Sequence, residues 1–168
     1  MKNKITLLLI CLISVVGIGQ KSEKDNINKV LDAWHKAASD ADFDTYFGLM
    51  TDEGVFLGTD ATENWQNQEF KDFSKPYFDR GKAWSFTAVE RNVYLNGQND
   101  FAWFDELLDT QMKLCRGSGV LQKIDGKWKI AHYVLSIAVP NENVAELISI
   151  KKESDSILTK KLKGTYQN

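Results

Sequence analysis

The chain has 168 residues, of which 21 are basic and 23 acidic, giving a formal net charge of −2. This balance does not supply the basic face of a nucleic-acid-binding protein, and we expect no nucleic-acid partner. The length suits one compact domain.

Residues 1–20, "MKNKITLLLICLISVVGIGQ", have the pattern of a secretory signal peptide. A basic start precedes a nearly continuous apolar run over residues 5–18, and Gly17 and Gly19 form a small-x-small pattern before the charged "KSEKD". About 14 apolar residues fall short of the roughly 20 that a spanning helix needs, so a retained anchor is the weaker alternative. We therefore expect an exported protein, periplasmic or extracellular, with no stable membrane insertion after signal cleavage.

Cysteine and histidine are scarce in the predicted mature chain. Cleavage after residue 20 removes two lysines, which leaves a net charge of −4, and retains Cys115 as the single cysteine. An internal disulfide is then impossible, and a lone cysteine in a strand is typically a small buried hydrophobe. Two histidines at unrelated positions give no metal-ligand spacing, so we expect neither a metal site nor a cofactor.

Three helices are predicted in the first half of the mature chain. Apolar residues at helical spacing define the first helix from Asp25, a candidate N-cap, to about Ala38. The second covers "DADFDTYFGLM", and the third covers "NQEFKDFSKPYFDRG", where Pro76 is expected to end or kink the helix. A short strand, "GVFLG", is predicted between the second and third helices.

Strand-like segments dominate the second half, at 84–95, 101–110, 114–124 and 127–139. Asp125-Gly126 is typical of a two-residue hairpin turn, and Pro140 ends the last segment. Helices followed by antiparallel strands predict one α+β domain over residues 21–142, with a sheet wrapped around three helices and a pocket between them. Residues 143–168 are predicted to be a helical or flexible tail.

The stretch "CRGSGVL" is unusual for a strand because each glycine weakens it. We interpret the glycines as clearing space for longer side chains of neighbouring strands. Two registers are compatible with the hairpin: a bulged turn places Ser118 opposite His132, and a plain two-residue turn places Gly119 there. Glu106 can reach the same face as His132 in both registers.

Their position on one face suggests that His132 and Glu106 form an acid/base pair, since a neighbouring carboxylate changes the pKa of an imidazole. Asp105 is an alternative base, and Arg116 would bind an anionic group or organise the carboxylates. The alternative interpretation is a structural ion-pair network without catalysis. His35 is predicted to lie at the surface or at the pocket rim.

A second notable stretch, "LGTDATENW", follows the short predicted strand. It contains Thr59, Glu63 and Trp65 in a loop that can lie over the pocket mouth and contact a ligand. The alternative is that these residues cap the third helix and fill the core.

Five segments together resemble the SnoaL-like branch of the nuclear transport factor 2 superfamily: "AWHKAASDADFDTYFGLM", "FLGTDATENWQNQEF", "FAWFDELL", "RGSGVL" and "DGKWKIAHYVLSIAVPNE". The resemblance covers Val30 to Glu142. It implies a cone-like α+β barrel, usually a homodimer packed through its sheet, and a hydrophobic cavity used for isomerisation, cyclisation, dehydration, hydrolysis or binding. Leu57 and Trp34 stand where ketosteroid isomerases of the superfamily carry a catalytic aspartate and tyrosine, so the resemblance does not imply that mechanism.

Three functions remain open on these grounds. The first is an exported, dimeric, cofactor-free domain that binds a small apolar or amphipathic ligand in a pocket lined by Trp34, Tyr46, Phe56, Trp65, Trp103 and Tyr133. The second is a cofactor-independent isomerase, dehydratase or hydrolase using the His132 pair in that pocket. The third is a structural or interaction module. Trp103 is expected to be buried, so that Trp103→Ala destabilises the fold.

Overall fold

The computed structural model describes the backbone of residues 2–166 and the side chains of residues 21–165. The predicted signal peptide, residues 1–20, lies outside the residues whose side chains are described and stays a prediction. The chain forms two compact units, Met1–Ile137 and Ala138–Asn168.

The helical part of the first unit consists of α1 (Lys2–Ser39), α2 (Phe43–Gly48) and α3 (Asn67–Asp79). Helix α1 runs through Asp25, so the prediction of an N-cap there is wrong. Asp42 does cap α2, because its carboxylate accepts a hydrogen bond from the Thr45 amide at 3.1 Å. Pro76 lies inside α3 without ending it.

One open six-stranded sheet completes this unit among the described residues, in the order β2-β1-β6-β5-β4-β3. Every neighbouring pair is antiparallel except β1 and β6, which are parallel. The predicted α+β fold, a curved and mainly antiparallel sheet with N-terminal helices, is confirmed. The short strand β2 was not apparent from the sequence. The strands are β1 (Met50–Leu57), β2 (Asn64–Gln66), β3 (Phe86–Leu95), β4 (Phe101–Thr110), β5 (Lys113–Ile124) and β6 (Lys127–Ile137).

The hairpin between β5 and β6 uses the predicted two-residue turn. Asp125 and Gly126 have φ of 50° and 76°, the left-handed conformations that a type I′ turn requires. A register shift further along the hairpin then places Val120, not Ser118 or Gly119, opposite His132. Both predicted registers are therefore wrong beyond this irregularity.

The core lies between the helices and the inner face of the sheet. Its centre is an aromatic cluster in which Trp34 stacks on Tyr46 with centroids 4.9 Å apart, and Phe56 stacks on Phe70 at 4.2 Å. Cys115 is buried in this core, as expected for a small hydrophobe.

The second unit contains a short 3₁₀ turn, Asn141–Asn143, and α4 (Val144–Tyr166). Residues 144–166 of the predicted tail are thus helical. Among the described residues, no helix has both the length and the apolar character needed to cross a bilayer.

Candidate functional site

A fully buried carboxylate, Glu106 on β4, organises the polar part of the interior. Its Oε1 accepts a hydrogen bond from the Tyr133 hydroxyl at 2.9 Å and lies 2.8 Å from His35 Nε2. Its Oε2 accepts a hydrogen bond from Arg91 Nε at 2.8 Å. Because an ionised carboxylate only accepts, His35 must carry its proton on Nε2. We call these four residues the Glu106 cluster.

Arg91 connects the Glu106 cluster to the surface. Its Nη1 donates to Asp32 Oδ1 at 2.7 Å, and the Asp32 side chain is 68% exposed whereas that of Arg91 is 7% exposed. The guanidinium therefore compensates one buried and one exposed carboxylate. Its planar fork suits this double role better than a lysine would.

The glycine of β5 that lies opposite Glu106 clears the space for this arrangement. A Cβ on Gly117 would overlap the Tyr133 hydroxyl and lie 3.0 Å from Glu106 Cγ. Gly117 therefore makes room for a longer side chain, as the sequence predicts, and that side chain is Tyr133; at Gly119 an added Cβ would instead overlap the His132 carbonyl oxygen and the Phe104 ring.

The cluster shifts the pKa values of Glu106 and Tyr133 in opposite directions. Burial alone would raise the pKa of Glu106, but the hydrogen bond from His35 and the charges of His35 and Arg91 outweigh it, so the pKa lies below its usual value. Burial and the neighbouring Glu106 carboxylate raise the pKa of Tyr133 well above its usual value. Tyr133 is therefore a neutral donor to an ionised Glu106.

The predicted pairing of Glu106 with His132 is wrong. Glu106 points into the core. His132 pairs with Val120 of β5, and Val120 pairs with Trp103 of β4, so these three side chains lie side by side on the outer face of the sheet. The bulge in β6 is the physical reason, since a one-residue slip moves a side chain to the other face. The histidine beside Glu106 is His35, which is 4% exposed and therefore buried, although it borders a groove between α1 and β3.

The outer face also carries the other predicted polar residues. Asp105 pairs with Ser118 of β5 and accepts a hydrogen bond from Asn92 Nδ2 at 3.1 Å. Arg116 precedes Ser118 by two positions and therefore lies on the same face of β5. Trp103 is 45% exposed and stacks on Tyr94 with centroids 5.8 Å apart, so the expectation that it is buried in the pocket is wrong. The structure does not bring these outer-face residues together with Glu106.

Two residues of the Glu106 cluster were missed from the sequence although a signal was present. His35 follows Leu31 by four positions and therefore belongs to the apolar stripe of α1. Arg91 precedes the buried Val93 by two positions and so shares its face of β3. In both cases the polar residue type hid an inward position.

A separate cleft of about 120 Å³ lies against β1, α3 and β3. Four of the predicted pocket residues line it, namely Phe56, Thr59, Glu63 and Trp65. Three others, Trp34, Tyr46 and Tyr133, are buried in the core. The cleft walls are mainly aromatic, formed by Phe56, Trp65, Phe70, Phe73, Trp84 and Phe86.

The loop between β1 and β2 places one carboxylate at this aromatic cleft. The Gly58 amide donates to the Glu63 carbonyl at 3.0 Å, and the Asp60 amide donates to Glu63 Oε2 at 3.2 Å. A Cβ on Gly58 would overlap the Glu63 carboxylate, so glycine is what lets this side chain fold back over the loop. Of the described residues that line the cleft, Glu63 alone is charged.

Three buried aromatic side chains carry a polar atom with no hydrogen-bond partner among the described residues: Trp34 Nε1, the Tyr46 hydroxyl and Trp84 Nε1, and of these three residues Trp84 alone lines the cleft. Burial raises the pKa of Tyr46 well above its usual value, and the Trp84 indole N–H that faces it acts in the opposite direction without reaching hydrogen-bond geometry. Unpaired buried donors cost free energy, so they mark positions where an acceptor would be favourable.

The described part of the chain contains no group of three or more histidine, cysteine or acidic side chains placed to hold a metal ion.

An open six-stranded mixed sheet with helices packed on its inner face defines an α+β domain, consistent with a cone-like fold. Residues 27–140 match the model of the SnoaL-like domain, and the chain belongs to that family. No curated protein sequence matches the chain at a significant level.

Solved structures support the same fold. A nuclear transport factor 2-like protein of unknown function from Pseudomonas putida KT2440 is 16% identical, with a TM-score of 0.60, covering 74% of this chain and 92% of its own. The association domain of C. elegans CaMKII is 25% identical, with a TM-score of 0.59 and coverage of 70% and 98%. A protein from Streptomyces avermitilis, provisionally named a dehydratase of the nuclear transport factor 2-like family, is 16% identical, with a TM-score of 0.60 and coverage of 72% and 99%.

Proposed function

We propose that the protein is an exported small-molecule-binding domain whose ligand occupies the cleft between β1, α3 and β3. The observation that carries the proposal is the cleft itself: six aromatic side chains surround about 120 Å³, with few polar groups at its edge. Ligand sites are typically apolar concavities with a small number of placed polar groups. The pattern of residues 1–20 supports export to the periplasm or the exterior.

The size of the cleft sets the size of the bound group. An engineered protein cavity of about 150 Å³ with apolar walls binds benzene. A cleft of about 120 Å³ therefore suits a ligand portion of about one small ring. The ligand would be small, or only its apolar end would enter.

We expect 4-fluorotoluene to bind saturably to the cleft with a Kd on the order of 1 mM, as befits a fragment of this size. Met112 lines the cleft, and Met112→Trp should fill it and weaken binding at least about tenfold. Leu114→Trp, at an exposed position that does not line the cleft, is the matched control. Fluorine NMR titration measures the Kd of 4-fluorotoluene for the wild type and for each variant. Full binding by the Met112 variant would contradict the proposal.

An enzymatic function is the second candidate, and the His35–Glu106 pair is what favours it. His35 lines a groove of about 300 Å³ with Asp32, Lys36 and Ser39 of α1 and Ser85 and Thr87 of β3. Glu106 orients the imidazole through Nε2, which is the arrangement of a general acid/base. Binding of a fragment in the aromatic cleft should be unaffected by His35→Gln, whereas turnover through this pair would be lost.

We also propose that two copies of the chain associate through the outer face of the sheet. Tyr94 and Trp103 present a stacked aromatic pair there, 42% and 45% exposed, and the likeness to an association domain supports assembly. Trp103→Lys should convert a dimer at micromolar concentration into a monomer, because it places a charge in the apolar contact. Tyr77→Lys on α3, a similarly exposed aromatic position, is the control. Sedimentation velocity measures both, and a wild-type monomer would contradict this interface.

A further inference from the structure

We propose that the cleft selects a small organic cation, of the quaternary ammonium class, over a neutral ligand of the same shape. The inference rests on the proposed function insofar as it places the ligand in the same cleft. Two independent observations carry it: the aromatic walls and the single carboxylate.

Six aromatic side chains line the cleft, and four of them form two stacked pairs. Trp65 stacks on Phe73 with centroids 4.8 Å apart and planes at 17°, and Phe70 stacks on Trp84 at 5.8 Å and 23°. Ring faces carry the negative part of the aromatic quadrupole, and a cage of them attracts alkylammonium groups. The attraction increases as the cation is desolvated, as it would be between these walls.

The charge of the cleft points to the same ligand class. Glu63 is half-buried, and one of its oxygens accepts the Asp60 amide while Oε1 has no donor among the described residues. Neither lysine nor arginine occurs among the described residues that line the cleft. A cation therefore gains a counter-charge, whereas an anion meets an uncompensated carboxylate.

The dimensions of the cleft refine the ligand. A trimethylammonium head is comparable in size to a benzene ring, which matches a cleft of about 120 Å³.

The test compares choline with its neutral isostere, 3,3-dimethylbutan-1-ol, by isothermal titration calorimetry on the full mature chain. We expect choline to bind about tenfold more tightly, because cation–π attraction and the carboxylate act on the charged ligand alone. Glu63→Gln should remove most of that preference by weakening choline while leaving the isostere unchanged. Glu53→Gln, an exposed carboxylate on β1 that does not line the cleft, should leave both affinities unchanged.

The outcomes separate the two proposals. Equal affinities for choline and the isostere would overturn the cation preference and leave the cleft as a neutral apolar site. Choline binding that persists in Met112→Trp would overturn the inference by placing the cation elsewhere. If choline, the isostere and 4-fluorotoluene all fail to bind, the proposed function falls together with its refinement.

Discussion

Replacing Gly117 with alanine is expected to lower the free energy of unfolding by about 2 to 4 kcal/mol. The new methyl group would overlap the Tyr133 hydroxyl and press on Glu106 Cγ, and both of these side chains are fully buried. Overpacking of a core costs about 1 to 3 kcal/mol, and a displaced buried hydrogen bond costs about as much. Chemical denaturation monitored by circular dichroism measures the loss.

Two further variants show whether the loss comes from this contact. Gly97→Ala, in a turn where an added Cβ meets nothing within 4 Å, should change the unfolding free energy little. Tyr133→Phe removes the overlapped oxygen, so the Gly117→Ala/Tyr133→Phe double variant should lose less than the sum of the single losses. Strict additivity would show that Tyr133 does not occupy the space cleared by Gly117.

Glu106→Gln is expected to destabilise the protein by about 3 kcal/mol at neutral pH. The change preserves the side-chain shape but leaves the buried Arg91 and His35 without their negative partner. Removing one member of a buried ion pair typically costs about 3 to 5 kcal/mol, and the remaining contact of Arg91 with Asp32 places this variant at the lower end. Denaturation midpoints at constant salt provide the measurement.

The loss should depend on pH in a defined direction. The folded-state pKa of Glu106 lies below its unfolded value of about 4.5, so its contribution is complete above that value and disappears as the pH falls through the folded pKa. The difference between wild type and Glu106→Gln should therefore narrow below about pH 4.5. Glu53→Gln, which alters an exposed carboxylate, serves as the control. A constant difference down to strongly acidic pH would contradict an ionised Glu106.

The sequence is informative about elements and weak about register. Alternation and turn residues identify the four long strands, and Asp125-Gly126 predicts the hairpin turn. The side of the sheet on which His132 lies depends instead on one register shift between Val120 and Leu121. No residue type near this position predicts the shift. Because side chains alternate at every position, that single shift decides which histidine meets Glu106.

The candidate cleft was partly predictable for a similar reason. Thr59, Glu63 and Trp65 were found because loop residues between elements stand out against a periodic pattern. Trp84 and Phe86 were not assigned to the cleft, since their place in it depends on how β3 packs near α3. Trp103 was misplaced because an exposed tryptophan and a buried one look alike in a sequence.

The parallel pairing of β1 with β6 has a consequence for the order in which the molecule forms. Phe56 on β1 stands beside Tyr133 near the end of β6, so this contact joins distant parts of the chain. Strands that are far apart in sequence pair slowly during folding, because the chain loses the conformational entropy of the intervening loop before the stabilising contact forms. The aromatic residues of α3 and β1 therefore have no sheet neighbour beyond β2 until β6 arrives. A ribosome-bound chain that ends before β6 would lack Leu135, which lines the cleft, so the cleft would be among the last parts of the protein to form.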